Sequence, residues 1–103
     1  MKKILIAHDG SKSSEKALKK AFQIAETFGS SLTVLSVIPE LYLTELMEMD
    51  RVRILDTMAK ETREMMEKIK AKSKHIKSLK TVIKQGDPAD EILNAAERMK
   101  ADL

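Results

Sequence analysis

The chain has 103 residues, of which 43% are hydrophobic and 34% are charged, a composition that predicts one small globular domain. Lys and Arg number 19 against 16 Asp and Glu, which gives a formal net charge of +3. The two signs are interspersed and only 3% of residues are aromatic, so a nucleic-acid partner is not indicated. The absence of cysteine excludes disulfide scaffolds, thiol catalysis and cysteine-ligated metal centres.

The amino-terminal apolar segment is too short to be a targeting or membrane signal. Residues 4–7 follow basic residues and stop at His8. A secretory signal needs roughly 7 to 15 apolar residues, and a membrane span needs about 20. The segment therefore predicts a buried strand in a cytoplasmic protein that has no membrane partner.

The first third of the chain predicts a βαβ unit. The run Ile4–Ala7 has the continuous hydrophobicity of a strand buried in a parallel sheet. Ser11 is a favourable N-cap for the helix that follows, and Gly29 is a favourable residue to end it. The β-branched segment Ser31–Ile38 predicts a second buried strand, which Pro39 stops.

The middle of the chain predicts a long helix after a loop at residues 39–44. Apolar residues recur every three or four positions from Glu45 to about Ser73, as one helix or as two with a bend. Five of the seven methionines lie between Met47 and Met66. They are typical of ordinary core packing against a sheet, and the alternative is an adaptable face for a partner.

The last third of the chain predicts a strand and a helix. Residues 77–85 alternate partly between apolar and polar side chains, which favours an exposed edge strand. Asp87 is a suitable N-cap, and Pro88 suits the first helical position. The helix that follows is expected to pack through its apolar residues, which are Ile92, Leu93, Ala96 and Met99. The order β-α-β-α-β-α predicts an α/β fold with an open parallel sheet of three strands and three or four helices.

Four separated segments, in this order and spacing, resemble the universal stress protein family. They are residues 3–11 (KILIAHDGS), the helix with Ala17, Leu18 and Ala21, the strand end at residues 35–38 (LSVI), and residues 86–92 (GDPADEI). The resemblance runs through essentially all 103 residues. It implies a doubly wound, Rossmann-like sheet related to the adenine-nucleotide hydrolases, and a stress-response protein that acts as a homodimer.

The resemblance also implies a site for ATP, with or without Mg²⁺. In the ATP-binding branch of the family, the residues after the first strand meet adenine and ribose. This role falls on Ala7, His8 and Asp9. Val37 would line the adenine pocket, and Gly86 would lie close to the base or ribose. All five positions lie at or just beyond the carboxyl ends of the predicted strands, where open α/β sheets bind their ligands.

The sequence departs from the ATP-binding branch in its glycines. That branch carries a glycine-rich phosphate loop after a fourth strand, whereas this sequence has only Gly10, Gly29 and Gly86, none of which forms such a loop. We therefore expect weak ATP binding by these 103 residues. We also expect residues 1–103 to be a single domain that is incomplete at its C-terminus. The first strand then has an open edge that another copy would cover.

Three functions compete at this point. The first is an adenine-nucleotide-binding stress protein, and the second is a protein-interaction module of the same fold that binds no nucleotide. The third is an ATP-hydrolysing or pyrophosphatase-type enzyme, which the single glycine after the first strand disfavours. The residue types of His8 and Asp9 are compatible with a catalytic pair or half a metal site, but a simpler interpretation makes His8 a rim residue and Asp9 a cap. We predict no catalytic or metal-ligating residue.

Overall fold

The computed structural model describes residues 3–39, 48–73, 76 and 78–102. Strands and helices alternate along the chain, as the sequence predicts. The elements are β1 (Lys3–Ala7), α1 (Lys12–Phe28), β2 (Ser31–Pro39), α2 (Glu48–Lys72), β3 (Leu79–Gly86) and α3 (Pro88–Met99). The predicted α/β fold with an open parallel sheet is confirmed.

The described strands form one parallel sheet in the order β1-β2-β3. Ile4 pairs with Leu32, and Leu32 pairs with Leu79. β3 is an edge strand, as predicted, and β1 is the other edge. At the start of β1, the Lys3 backbone N–H donates to Asp102 Oδ2 (3.0 Å), and the Asp102 N–H donates to the Lys3 carbonyl (2.8 Å). The chain that leaves α3 therefore returns to the open edge of β1.

Helices α1 and α2 pack on one face of the sheet and form the core with it. Successive strand residues point to opposite faces, so this face carries the side chains of one parity. Its buried residues are Ile4, Leu32 and Val34 from the strands, Leu18, Ala21 and Ala25 from α1, Met66 and Ile69 from α2, and Ile76. Met65 packs against the same cluster, so the core interpretation holds for these two methionines.

Local chemistry sets the ends of α1 as the sequence predicts. The Ser11 hydroxyl accepts a hydrogen bond from the Ser14 backbone N–H (3.2 Å), which satisfies one of the free donors of the first turn. Gly29 ends the helix at φ 63°, a left-handed conformation that is strained for other residues.

Helix α2 is a single continuous helix of 25 residues. The alternative of two helices with a bend is therefore wrong for residues 48–72, which contain neither Gly nor Pro. The predicted start at Glu45 lies outside the described residues, as do residues 40–44 of the predicted loop. Pro39, the first residue of that predicted loop, is instead the last residue of β2.

Helix α3 lies alone, among the described helices, on the opposite face of the sheet. Asp87 caps it, with the Asp90 N–H donating to Asp87 Oδ2 (3.1 Å), and Pro88 begins it. The prediction that Leu93 joins the packing face is wrong, because its side chain is 59% exposed. At 100° per residue, Leu93 lies a quarter-turn away from the half-buried stripe, which consists of Ile92, Ala95, Ala96 and Met99.

Candidate functional site

A groove of about 820 Å³ lies at the carboxyl ends of the strands, between the first turns of α1 and α3. The β1–α1 and β3–α3 connections contribute to it, together with the end of β2. The lining residues are Ala7, His8, Asp9, Ser11, Ser13, Ser14, Leu35, Val37, Asp87, Pro88, Ala89 and Ile92. Its volume lies within the range of roughly 300–1,000 Å³ that small-molecule sites occupy.

Four of the five predicted site residues line this groove. Ala7, Asp9 and Val37 belong to the strand parity that faces α3. Val37 is half-buried and contributes an apolar wall, while Asp9 is exposed at the mouth. Gly86 does not line the groove; it immediately precedes Asp87, which does. Gly86 has φ 149°, and a side chain there would meet Glu91 Oε1 at 3.2 Å.

The His8 side chain points to the opposite face of the sheet, and its imidazole is buried beneath the β1–α1 connection. The side chain has no exposed surface, so its interpretation as a rim residue is wrong. The Gly10 N–H donates to Nδ1 (3.2 Å), which places the ring proton on Nε2. Nε2 donates to Glu15 Oε1 (3.1 Å). Both ring nitrogens are therefore engaged, and His8 can meet a ligand in the groove only through its backbone.

The Asp9 carboxylate is the most perturbed ionisable group among the described residues. The nearby Ser11 hydroxyl and backbone N–H (2.9 Å to Oδ1) and the Ser14 hydroxyl stabilise its charged form. These donors lower the pKa of Asp9 from its ordinary value of 3.8 to about 2. The groove therefore presents a permanent negative charge and hydrogen-bond acceptor at neutral pH.

This lowered pKa predicts a measurable pH dependence. Because the folded pKa lies below the unfolded one, Asp9 contributes stability above pH 3.8 that is lost as the pH falls through about 2. Carboxyl ¹³C chemical shifts followed by NMR should give a midpoint near 2 for Asp9. Ser11→Ala should raise that midpoint toward the ordinary value, and an unchanged midpoint in this variant would contradict the assigned cause.

Sequence reasoning missed part of the lining and the partner of His8. Leu35 and Ile92 form apolar walls, and Ser13 and Ser14 extend the polar side. The alternation of side chains along β1 already indicated that His8 is buried. His8 is four positions from Ile4, so both side chains point to the same face of the sheet. Glu15 gave no comparable signal, because only the packing of α1 on the sheet brings it to the imidazole.

The described residues include neither a metal-binding cluster nor a membrane-spanning helix. No group of three His, Asp or Glu side chains that could hold a metal ion occurs among residues 3–39, 48–73, 76 and 78–102. None of the described helices is long and apolar enough to cross a bilayer.

Several solved structures are similar to this chain in fold. The hypothetical protein MJ0577 is 28% identical with a TM-score of 0.88, over 98% of this chain and 70% of that chain. The universal stress protein UspA from Lactobacillus plantarum is 23% identical with a TM-score of 0.86, over 96% of this chain and 70% of that chain. A universal stress protein in complex with cAMP is 18% identical with a TM-score of 0.69, over 98% and 67%.

At the level of sequence, no curated protein matches the chain. The model of the universal stress protein family, however, matches residues 1–103. Together with the confirmed fold, this match establishes the resemblance that the four sequence segments indicated. The chain is a member of the universal stress protein family.

Proposed function

We propose that the protein binds the adenosine part of an adenine nucleotide in the groove at the carboxyl ends of the strands, as a stress-response regulator. The observation that carries the proposal is the convergence of an apolar wall and an ionised carboxylate in one groove. Val37, Leu35 and Ile92 offer the wall for adenine. Asp9, with its pKa of about 2, offers an acceptor for ribose hydroxyls.

Two further points support this assignment. Ligands of open α/β sheets bind beyond the carboxyl ends of the strands, which is where this groove lies. One structural neighbour is a universal stress protein in complex with cAMP, which is itself an adenine nucleotide.

The groove offers fewer partners to the phosphate groups of a nucleotide than to its nucleoside part. The described lining contains the carboxylates of Asp9 and Asp87 and no Lys or Arg. The described part of the chain also has no glycine-rich turn that would aim several backbone N–H groups at a phosphate. We therefore propose that the chain binds adenosine at least as tightly as ATP. Mg²⁺ bound to the triphosphate would reduce the repulsion, so ATP is best tested as its magnesium complex.

Replacement of Asp9 by asparagine tests the site. Asparagine can keep the hydrogen bond from the Ser11 N–H but loses the charge, so adenosine should bind about tenfold more weakly, the effect of losing one charge-assisted hydrogen bond. Isothermal titration calorimetry with adenosine, AMP and Mg-ATP measures the change. The matched control is Asp56→Asn, which alters an exposed carboxylate of α2 that does not line the groove.

A nucleoside series identifies the contact. The preference of the wild-type chain for adenosine over 2′,3′-dideoxyadenosine should shrink in Asp9→Asn, because the removed hydroxyls are the groups that Asp9 accepts from. No binding of any adenine compound at millimolar concentration would refute the proposal. That outcome would favour the alternative, an interaction module of the same fold that binds no nucleotide.

We also propose that the protein is cytoplasmic and works as a homodimer. The backbone groups of Leu5 and Ala7 have the same orientation as those of Lys3, which bond Asp102 outside the sheet. They therefore face the edge of β1 that no described strand pairs, and edges of this kind favour association with another chain. Light scattering of the purified chain tests the assembly.

A further inference from the structure

The face of the sheet that carries α3 is only partly covered by the described helices. Leu35 is buried on this face, whereas Leu5, Thr33 and Val82 are half-buried. Because these side chains remain half-buried, α3 leaves part of this face open among the described residues.

A groove of about 790 Å³ lies along this face, between α3 and the strands. Its floor is mostly apolar and includes Leu5, Thr33, Leu35 and Val82, and Met99 of α3 contributes to its wall. The groove is separate from the proposed nucleotide site, although Leu35 lines both.

Four cations surround the apolar floor. They are Lys3 of β1, Lys80 and Lys84 of β3, and Arg98 of α3. No acidic residue of the described chain lines the groove. The nearby Asp102 accepts a hydrogen bond from the backbone of Lys3. The groove therefore combines an apolar centre with an excess of positive charge at its rim.

The spacing of the cations determines which class of ligand fits. Lys80 and Lys84 lie opposite Thr33 and Val37 of β2, so both belong to the face that carries α3. Four residues of strand separate their Cα atoms by about 13 Å. Lys3 lies two strands away, about 10 Å across the sheet. A single compact anion cannot reach all of these positions, and the apolar floor offers nothing to a phosphate backbone.

An amphipathic helix matches both properties of the groove. A helix rises 1.5 Å per residue, so acidic residues seven positions apart are about 10.5 Å apart along one side. This separation lets two carboxylates approach Lys80 and Lys84 at once. The apolar stripe of the same helix would then cover Leu5 and Val82.

We propose that the groove between α3 and the sheet docks an acidic amphipathic helix of a partner protein. The apolar stripe of the helix lies on Leu5 and Val82, and its acidic flanks face Lys80 and Lys84. This proposal does not depend on nucleotide binding, because it concerns a different groove on the same face of the sheet.

A pair of designed peptides tests the proposal. The probe is a fluorescein-labelled helix of about five turns, or 18 residues, with leucine every three or four positions and glutamate on both flanks. The control peptide keeps the leucines and carries lysine in place of glutamate. Fluorescence anisotropy at low ionic strength should detect binding of the acidic peptide and no binding of the basic one.

Charge reversal locates the interaction on the protein. Lys80→Glu combined with Lys84→Glu should weaken the binding of the acidic peptide at least about tenfold. The control combines Lys16→Glu with Lys19→Glu on α1, which changes the net charge equally but does not touch the groove, and it should keep most of the affinity. Circular dichroism checks the folding of both double variants. If the first double variant unfolds, Lys80→Gln with Lys84→Gln replaces it.

Several outcomes would overturn the proposal. They are equal binding of both peptides, equal weakening in both double variants, and tighter binding of a single-stranded oligonucleotide at the same lysines. A homodimer that dissociates only when Lys80 and Lys84 are reversed would identify the occupant as a second copy, and would equally refute a helix of another protein.

Discussion

Replacing Leu32 with alanine is expected to destabilise the fold by about 3 kcal/mol, within the usual range of 2–5 kcal/mol for a buried leucine. Leu32 lies on the central strand between Ile4 and Leu79, and its side chain is 1% exposed. Truncation leaves a cavity that cannot collapse easily, because β-strands on both sides fix the backbone. Since small domains have only about 5–15 kcal/mol of stability, the effect is large.

Urea denaturation followed by far-UV circular dichroism measures this change. Leu93→Ala is the matched control, since the same atoms are removed from a side chain that is 59% exposed. Its effect should stay within about 0.5 kcal/mol of the wild type. If the two variants lose equal stability, the burial of Leu32 beneath α1 and α2 is wrong.

Replacing His8 with alanine is expected to cost about 2–4 kcal/mol of folding stability. The change removes a fully buried ring and leaves the Gly10 N–H without its acceptor, so a cavity and an unsatisfied donor both contribute. The β1–α1 connection carries Asp9, so nucleotide binding should weaken as a secondary consequence. Thermal and urea unfolding measure the primary effect.

The Glu15→Gln variant tests the hydrogen bond of His8 Nε2 without removing the imidazole. A glutamine amide oxygen can still accept from Nε2, so we expect a loss of no more than about 1 kcal/mol. A His8→Ala variant of normal stability that no longer binds adenosine would contradict the structural role. That result would assign the imidazole to the ligand, against the geometry that buries it.

Much of the fold could be predicted because its signals are local. Ser11, Gly29 and the Asp87–Pro88 pair cap their helices through contacts within one turn, and the structure confirms each of them. The strands were recognisable from short apolar runs, although β3 begins at Leu79 rather than at residue 77. Such errors at element ends are expected, because terminal residues have few contacts that define them.

The groove at the carboxyl ends of the strands was only partly predictable. The general rule for open parallel sheets brought Ala7, Asp9 and Val37 to one edge. It did not reveal that His8 points the other way, or that Leu35 and Ile92 complete the apolar wall. These features depend on which helix covers which face.

The sequence by itself determined the order of the elements, their caps and the polar residues that follow each strand, because these depend on neighbours within a few positions. Only the tertiary structure decided which face each helix covers. That choice buried His8 against Glu15, left Leu93 in solvent and gathered Lys3, Lys80, Lys84 and Arg98 around one apolar floor. The physical reason is that strand register and helix packing bring together residues that are far apart in the chain.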